Sequence, residues 1–194
     1  MRQLFWSCIL TTIMLVGLFN FATPIVYHVK EYPHSVHKTI YVDRFMADDE
    51  MDKVIQASIE WHQATGGIVT FDVKRLPQQS IDATSSILMI EVTPDYPEIV
   101  LLDNLNQNTT LGYFNDRLGI PYIALVDSRL TDDDFKAVVL HELGHSLGLE
   151  HNMGVDGIGT LMYPTIDLGA DHITNVDIDH FCKLYLCNPK ELHN

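Results

Sequence analysis

Positive charge is scarce in this chain. Twelve lysines and arginines face 26 aspartates and glutamates across 194 residues, for a net charge of −14. No basic patch is evident, which excludes nucleic acid as the expected partner. Cysteine is scarcer still, with three residues. Four ligands at zinc-finger spacing are missing around them, so a cysteine-built metal site is not expected. Cys182 and Cys187 either stay free or pair in an oxidising compartment, and pairing requires a helix to end between them. Internal repeats and low-complexity segments are lacking too. A chain that is 46% apolar and 20% charged reads as one ordinary globular domain with a proper core, expected as a monomer.

Between Gln3 and Tyr27 no acidic or basic side chain occurs, and Arg2 precedes this apolar stretch. Two readings stand. A secretory signal peptide would use Leu4 to about Leu18 as its apolar region, with cleavage near Ala22. A retained anchor would also work, because about 20 apolar residues span a bilayer. In both, Arg2 stays inside and the remainder goes outside: secreted, periplasmic, or anchored with the domain facing out. Residues 1–27 are therefore a signal peptide or anchor, the only expected membrane contact. Residues 28–38 form a polar linker and residues 39–194 the folded domain.

Thr39 to Phe45 is rich in β-formers and reads as a strand. Asp48, Asp49 and Glu50 open a helix whose stripe runs through Met51, Val54, Ile55, Ser58, Ile59 and His62 to Gly66-Gly67. His62 reads there as packed or half-exposed, not as a ligand. Strands follow at Ile68–Val73 and Ile87–Val92, then a loop from Thr93 to Asn108. Thr110–Phe114 and Pro121–Val126 are further strands. Thr131 caps the next helix, with acidic residues in its first turn. Asn175 to Tyr185 is the last helix. Strand, helix, four strands and two helices make a layered domain with one sheet backed by helices.

His141-Glu142-Leu143-Gly144-His145-Ser146-Leu147-Gly148-Leu149-Glu150-His151 carries the chemistry. His141 and His145 are four apart, so on a helix they face one way, one turn above the other. Gly148 can take positive φ, which lets the helix stop and the chain turn back. His151 can then supply a third nitrogen. Three protein ligands leave a fourth position open, as one catalytic zinc requires. Glu142 can reach a water beside the metal without ligating it. Leu140, Leu143 and Leu147 face the core. Met162, eleven residues past His151, sits in Leu161-Met162-Tyr163-Pro164.

These residues resemble those of the metzincin zinc metallopeptidases, and among them most of all the matrixins. The zinc run with Leu143, Ser146 and Leu147 is similar, as are Leu161 to Pro164, the last helix with Asp177-Ile178, Phe181, Leu184 and Tyr185, and Trp61 late in the first helix. The resemblance implies an α+β fold with a twisted, mixed five-stranded sheet and three helices. It implies a structural Met-turn at Met162 and a peptide or protein substrate lying antiparallel to Thr110–Phe114. Leu111, Gly112, Tyr113, Tyr163 and Pro164 would then touch substrate. The chain also departs from the family. The dozen or so residues between the apolar segment and the first strand hold no cysteine to cap the zinc, and residues 93–109 hold no histidine for a second zinc. Calcium there would fall to Asp95, Glu98 and Asp103, whose other reading is solvated loop carboxylates. The function expected is zinc-dependent endopeptidase activity with Glu142 as general base. The alternative is a non-catalytic zinc-stabilised domain that binds a peptide or protein in the same cleft, for which Glu142 has no use.

Overall fold

The computed structural model describes residues 35–78, 82, 84–106, 108–117 and 119–192. The expected signal or anchor segment lies outside them. Among the described residues no helix is long and apolar enough to cross a membrane.

Five strands form one sheet: β1 (Val36–Val42), β2 (Val69–Arg75), β3 (Ser86–Glu91), β4 (Gly112–Asn115) and β5 (Tyr122–Leu125). Their order is β2-β1-β3-β5-β4. All neighbours are parallel except β4, which runs antiparallel to β5 and forms an edge. Parallel strands are covered on their faces and so read as apolar runs; Ile40, Val42, Ile87, Met89, Ile123 and Leu125 are fully buried. The first strand starts at Val36, three residues before the expected Thr39 and inside the expected linker. Its polar start is held by partners: Lys38 Nζ donates to the Ser146 carbonyl at 2.6 Å.

The helices are α1 (Asp48–Ala64), α2 (Pro97–Asn106), α3 (Asp132–Ser146) and α4 (Asn175–Tyr185). Among the described residues four replace the expected three, because part of the expected loop from Thr93 to Asn108 is α2. At the start of α1 the Glu50 carboxylate accepts from the Ala47 N–H at 2.9 Å, satisfying one of the orphan donors of the first turn. Its buried face is Val54, Ala57, Ser58 and Trp61. The expected stripe is thus rotated: Ile59 is 48% exposed while Trp61 is fully buried, because α1 packs on α3 and β2. His62 is exposed, with Nδ1 on the Val69 carbonyl at 2.8 Å.

Thr131 caps α3 by accepting from the Asp134 N–H. Phe135, Val138, Val139, Leu140, Leu143 and Leu147 bury that helix in the core. The indole N–H of Trp61 donates to the Leu140 carbonyl at 3.0 Å, so α1 grips the helix that carries the histidines. Below, α4 ends at Tyr185, Leu186 takes a left-handed conformation, and Cys182 and Cys187 are disulfide-bonded. The helix end between the two cysteines is the condition that pairing required.

Candidate metal centre and active site

His141 and His145 stand one turn apart on α3, and Gly148, at φ 89°, reverses the chain just beyond it. A side chain would be strained there. The reversal returns His151 to the other two imidazoles. Nε2 of His151 lies 3.1 Å from Nε2 of His141 and 3.1 Å from Nε2 of His145. Two ligands on a tetrahedral zinc at about 2.0–2.1 Å stand about 3.3 Å apart, so the three nitrogens fit one such ion. On the two helical histidines the opposite ring nitrogens are anchored. Nδ1 of His141 donates to the Leu161 carbonyl at 2.7 Å, and Nδ1 of His145 donates to the Leu149 carbonyl at 2.8 Å. A proton fixed on Nδ1 leaves Nε2 with a free lone pair. Among the described residues this is the only group of three or more His, Cys, Asp or Glu placed to hold a metal.

Burial, and then the charge of His145, hold His141 down at about 3; burial holds His145 at about 4 and lowers His151. All three rings are therefore neutral at physiological pH, which is the protonation state a metal ligand needs. Glu142 follows the opposite course. It is 5% exposed, and burial pushes its carboxyl up to about 8, with the Phe114 N–H pulling the other way. Its Oε2 is buried without a partner. A cation among the neighbouring imidazoles would lower that value.

Beneath the histidines Met162 is fully buried. The turn that carries it is held at each main-chain group. The Asp177 carboxylate accepts from Leu161 N at 3.0 Å and from Met162 N at 3.1 Å. Asn152 N donates to the Met162 carbonyl at 2.8 Å. A Cβ on Gly144 would stand 2.5 Å from Met162 Sδ and 3.3 Å from the Trp61 ring, so a larger residue there would have to displace the Met162 side chain. Sequence reasoning noted Asp177 only as part of a resemblance. The pattern Thr174-x-x-Asp177 was a legible capping signal, and both of its reciprocal bonds form.

Of the expected substrate residues, Leu111, Gly112 and Tyr113 lie at the edge of the sheet beside Glu142. A Cβ on Gly112 would meet Glu142 Oε1 at 2.9 Å. Tyr163 and Pro164 are half-buried directly after Met162. Asp103, expected as a solvated or calcium-binding carboxylate, is instead buried and paired with Arg129. Asp95 is exposed and Glu98 half-buried. A cavity of about 470 Å³ opens one helical turn from His141, between Ala137 and the segment Ile166 to Ala170.

Among solved structures the chain is similar to that of myroilysin, with 12% identity, a TM-score of 0.50, and coverage of 83% of this chain and 98% of that one. It is also similar to the archaemetzincin of Methanopyrus kandleri, with 13% identity, a TM-score of 0.50, and coverage of 80% and 99%. At such identities the likeness shows the fold. None of the curated proteins matches the chain in sequence. The family model described as Matrixin matches residues 41–186, which include all of the convergent histidines, Glu142 and the turn at Met162. The chain belongs to the matrixin family of metallopeptidases.

Proposed function

We propose that the protein is a zinc-dependent endopeptidase in which His141, His145 and His151 hold one ion and Glu142 is the general base. The observation that supports this most directly is the convergence of three imidazole Nε2 atoms beside a buried carboxylate with one unpartnered oxygen. When bound, zinc supplies Lewis acidity, which polarises the scissile carbonyl and brings the pKa of water towards about 7. Glu142 takes the proton of the attacking water and passes it to the leaving amine. Its environment suits both duties. Burial favours the protonated carboxyl and a nearby cation favours the carboxylate, so the group is poised between them near neutral pH.

The peptide would lie extended along the free edge of β4. Main-chain pairing at a sheet edge gives affinity with little sequence choice. An apolar segment at residues 3–27 and a disulfide between Cys182 and Cys187 both favour an extracytoplasmic site of action. A purely binding domain would have no use for Glu142, whose burial without a partner for Oε2 costs stability.

Metal content and cleavage of an unstructured protein test the reading together. Glu142→Ala is expected to retain one zinc per chain and to lose about 10²- to 10⁴-fold in turnover. His145→Ala is expected to lose both. Turnover by Glu142→Ala at the wild-type rate removes the base from the mechanism. Full zinc content in His145→Ala removes the ligand assignment.

A further inference from the structure

Asp103 on α2 and Arg129, in the turn between β5 and α3, form an ion pair of 2.5 Å with side chains 5% and 20% exposed. Each other ion pair among the described residues has a partner at least one-third exposed. Burying two charges is not a gain in itself, because desolvation offsets much of their attraction. What the pair holds is more telling. Arg129 Nη1 donates to the Thr110 carbonyl at 3.0 Å, and Thr110 N donates to Asp103 Oδ1 at 3.3 Å. Both main-chain polar groups of the residue two before β4 are thereby closed. The Asn108 N–H also donates to the Asp103 carbonyl, at 3.2 Å.

The strand that follows has few bonds of its own. It is four residues long and pairs with β5 alone. Val126 N donates to the Leu111 carbonyl, so Leu111, Tyr113 and Asn115 turn their main-chain groups toward β5. By the alternation of an antiparallel ladder, Gly112 and Phe114 turn theirs to the free edge. That edge faces Glu142, which lies against Gly112 and takes the Phe114 N–H.

We propose that Asp103 and Arg129 are positioning residues: by clasping Thr110 they set the free edge of β4 against Glu142, so that an extended peptide pairs with Gly112 and the Phe114 carbonyl in register with the reacting carboxylate. This rests on the peptidase reading above. Neither residue touches substrate; both act through Thr110.

The test uses the full chain loaded with zinc. One variant combines Arg129→Met with Asp103→Asn, so that neither charge is left buried alone; a milder one is Arg129→Lys. The substrate is a fluorescence-quenched decapeptide chosen from a random library by wild-type cleavage. Acetohydroxamate, which reaches a metal without a strand, serves as the control ligand. Amide hydrogen exchange at Tyr113 and Asn115 reads the clasp without any need for activity. In the double variant KM is expected to rise about tenfold while kcat and acetohydroxamate inhibition stay within about twofold. Exchange at Tyr113 and Asn115 should quicken about tenfold, with His141 to Gly144 unchanged. Lysine, reaching one acceptor in place of two, should recover part of both effects. Wild-type KM with wild-type exchange overturns the proposal. So does a parallel rise in KM and in the acetohydroxamate constant, which would mean general loss of the site. If the wild-type chain cuts no library member the peptidase reading falls, and slow exchange persisting in the double variant would separately refute the clasp.

Discussion

At the scale of single residues the centre divides into what its spacing announces and what only folding assembles. The three histidines, Glu142 and Gly148 were legible because each fills a mechanical role at a fixed step along one helix and its turn. Met162 was legible because it follows that run. Asp177 offered a capping signal, but its hold on the Met162 turn was not legible, because that depends on a chain reversal that no local pattern encodes. Its carboxylate accepts from Leu161 N, Met162 N, Thr174 N and the Thr174 hydroxyl. The Leu161 carbonyl in turn receives the Nδ1 proton of His141. Asp177 therefore orients the His141 imidazole through one intervening residue. Asp177→Asn keeps the size and removes the charge, leaving one oxygen for the work of two. It is expected to cost about 1.5–3 kcal/mol in denaturant unfolding, the range for hydrogen bonds to a charged group. Metal affinity should weaken about 10- to 100-fold, as for other outer partners of metal-bound imidazoles. A zinc titration against a competing chelator measures this, and unchanged affinity with lowered stability would confine Asp177 to a purely structural role.

At the scale of elements, two misreadings have different causes: a misleading local composition in α2, and tertiary contact in α1. The segment containing α2 looks like a loop because it opens on Pro94 and Pro97 and carries several acidic and amide side chains. Yet Pro97 sits at the first helical position, where its missing N–H costs nothing. The helix shows no clear amphipathic period because its outward face is apolar, with Leu101 67% and Leu105 76% exposed. In α1 the buried face was misjudged by about one position, since small Ala57 and Ser58 and bulky Trp61 fit against α3 and β2 better than Ile59 does. By contrast α4 was read with its true bounds, because Ile178, Phe181, Cys182 and Tyr185 make one apolar stripe. The disulfide beyond it closes a loop of sequence separation five. A loop that short removes little chain entropy, about 2 kcal/mol. Cys187→Ala should lower stability by about that amount and leave zinc affinity unchanged, since the contacts from α4 to the Met162 turn run through Asp177. Loss of metal in this variant, measured by mass spectrometry of the native protein, would show that α4 acts on the centre as one unit.

At the scale of the whole molecule, the excess of acid over base is not spread evenly. Asp43 follows β1, Glu50 opens α1, Glu91 ends β3 and Asp127 follows β5. Four carboxylates distant in sequence are thus gathered where three parallel strands end, a grouping that could not be read before the strand order was known. Glu91 bears the consequence. Burial first, then Glu50, and then the charges of Asp127 and Asp43 push it from 4.5 up to about 7. Its Oε1 is buried with no partner. A carboxyl raised in the folded state holds a proton that the unfolded chain has already released. Between pH 4.5 and about 7 the native protein therefore binds more protons, and stability falls as pH rises through that window. The contribution is fully present below 4.5 and lost above about 7. Glu91→Gln keeps the shape and cannot ionise, so it should lack this dependence. The histidines add a slope of the opposite sign, because their lowered values make the native state bind fewer protons than the unfolded chain between about 3 and 6.5. That slope is common to both proteins and cancels in their difference. Denaturant midpoints of the two chains at pH 5 and pH 8 isolate Glu91: the variant should gain on the wild type as pH rises, and a difference that stays constant would mean that Glu91 ionises in the folded protein as it does in water.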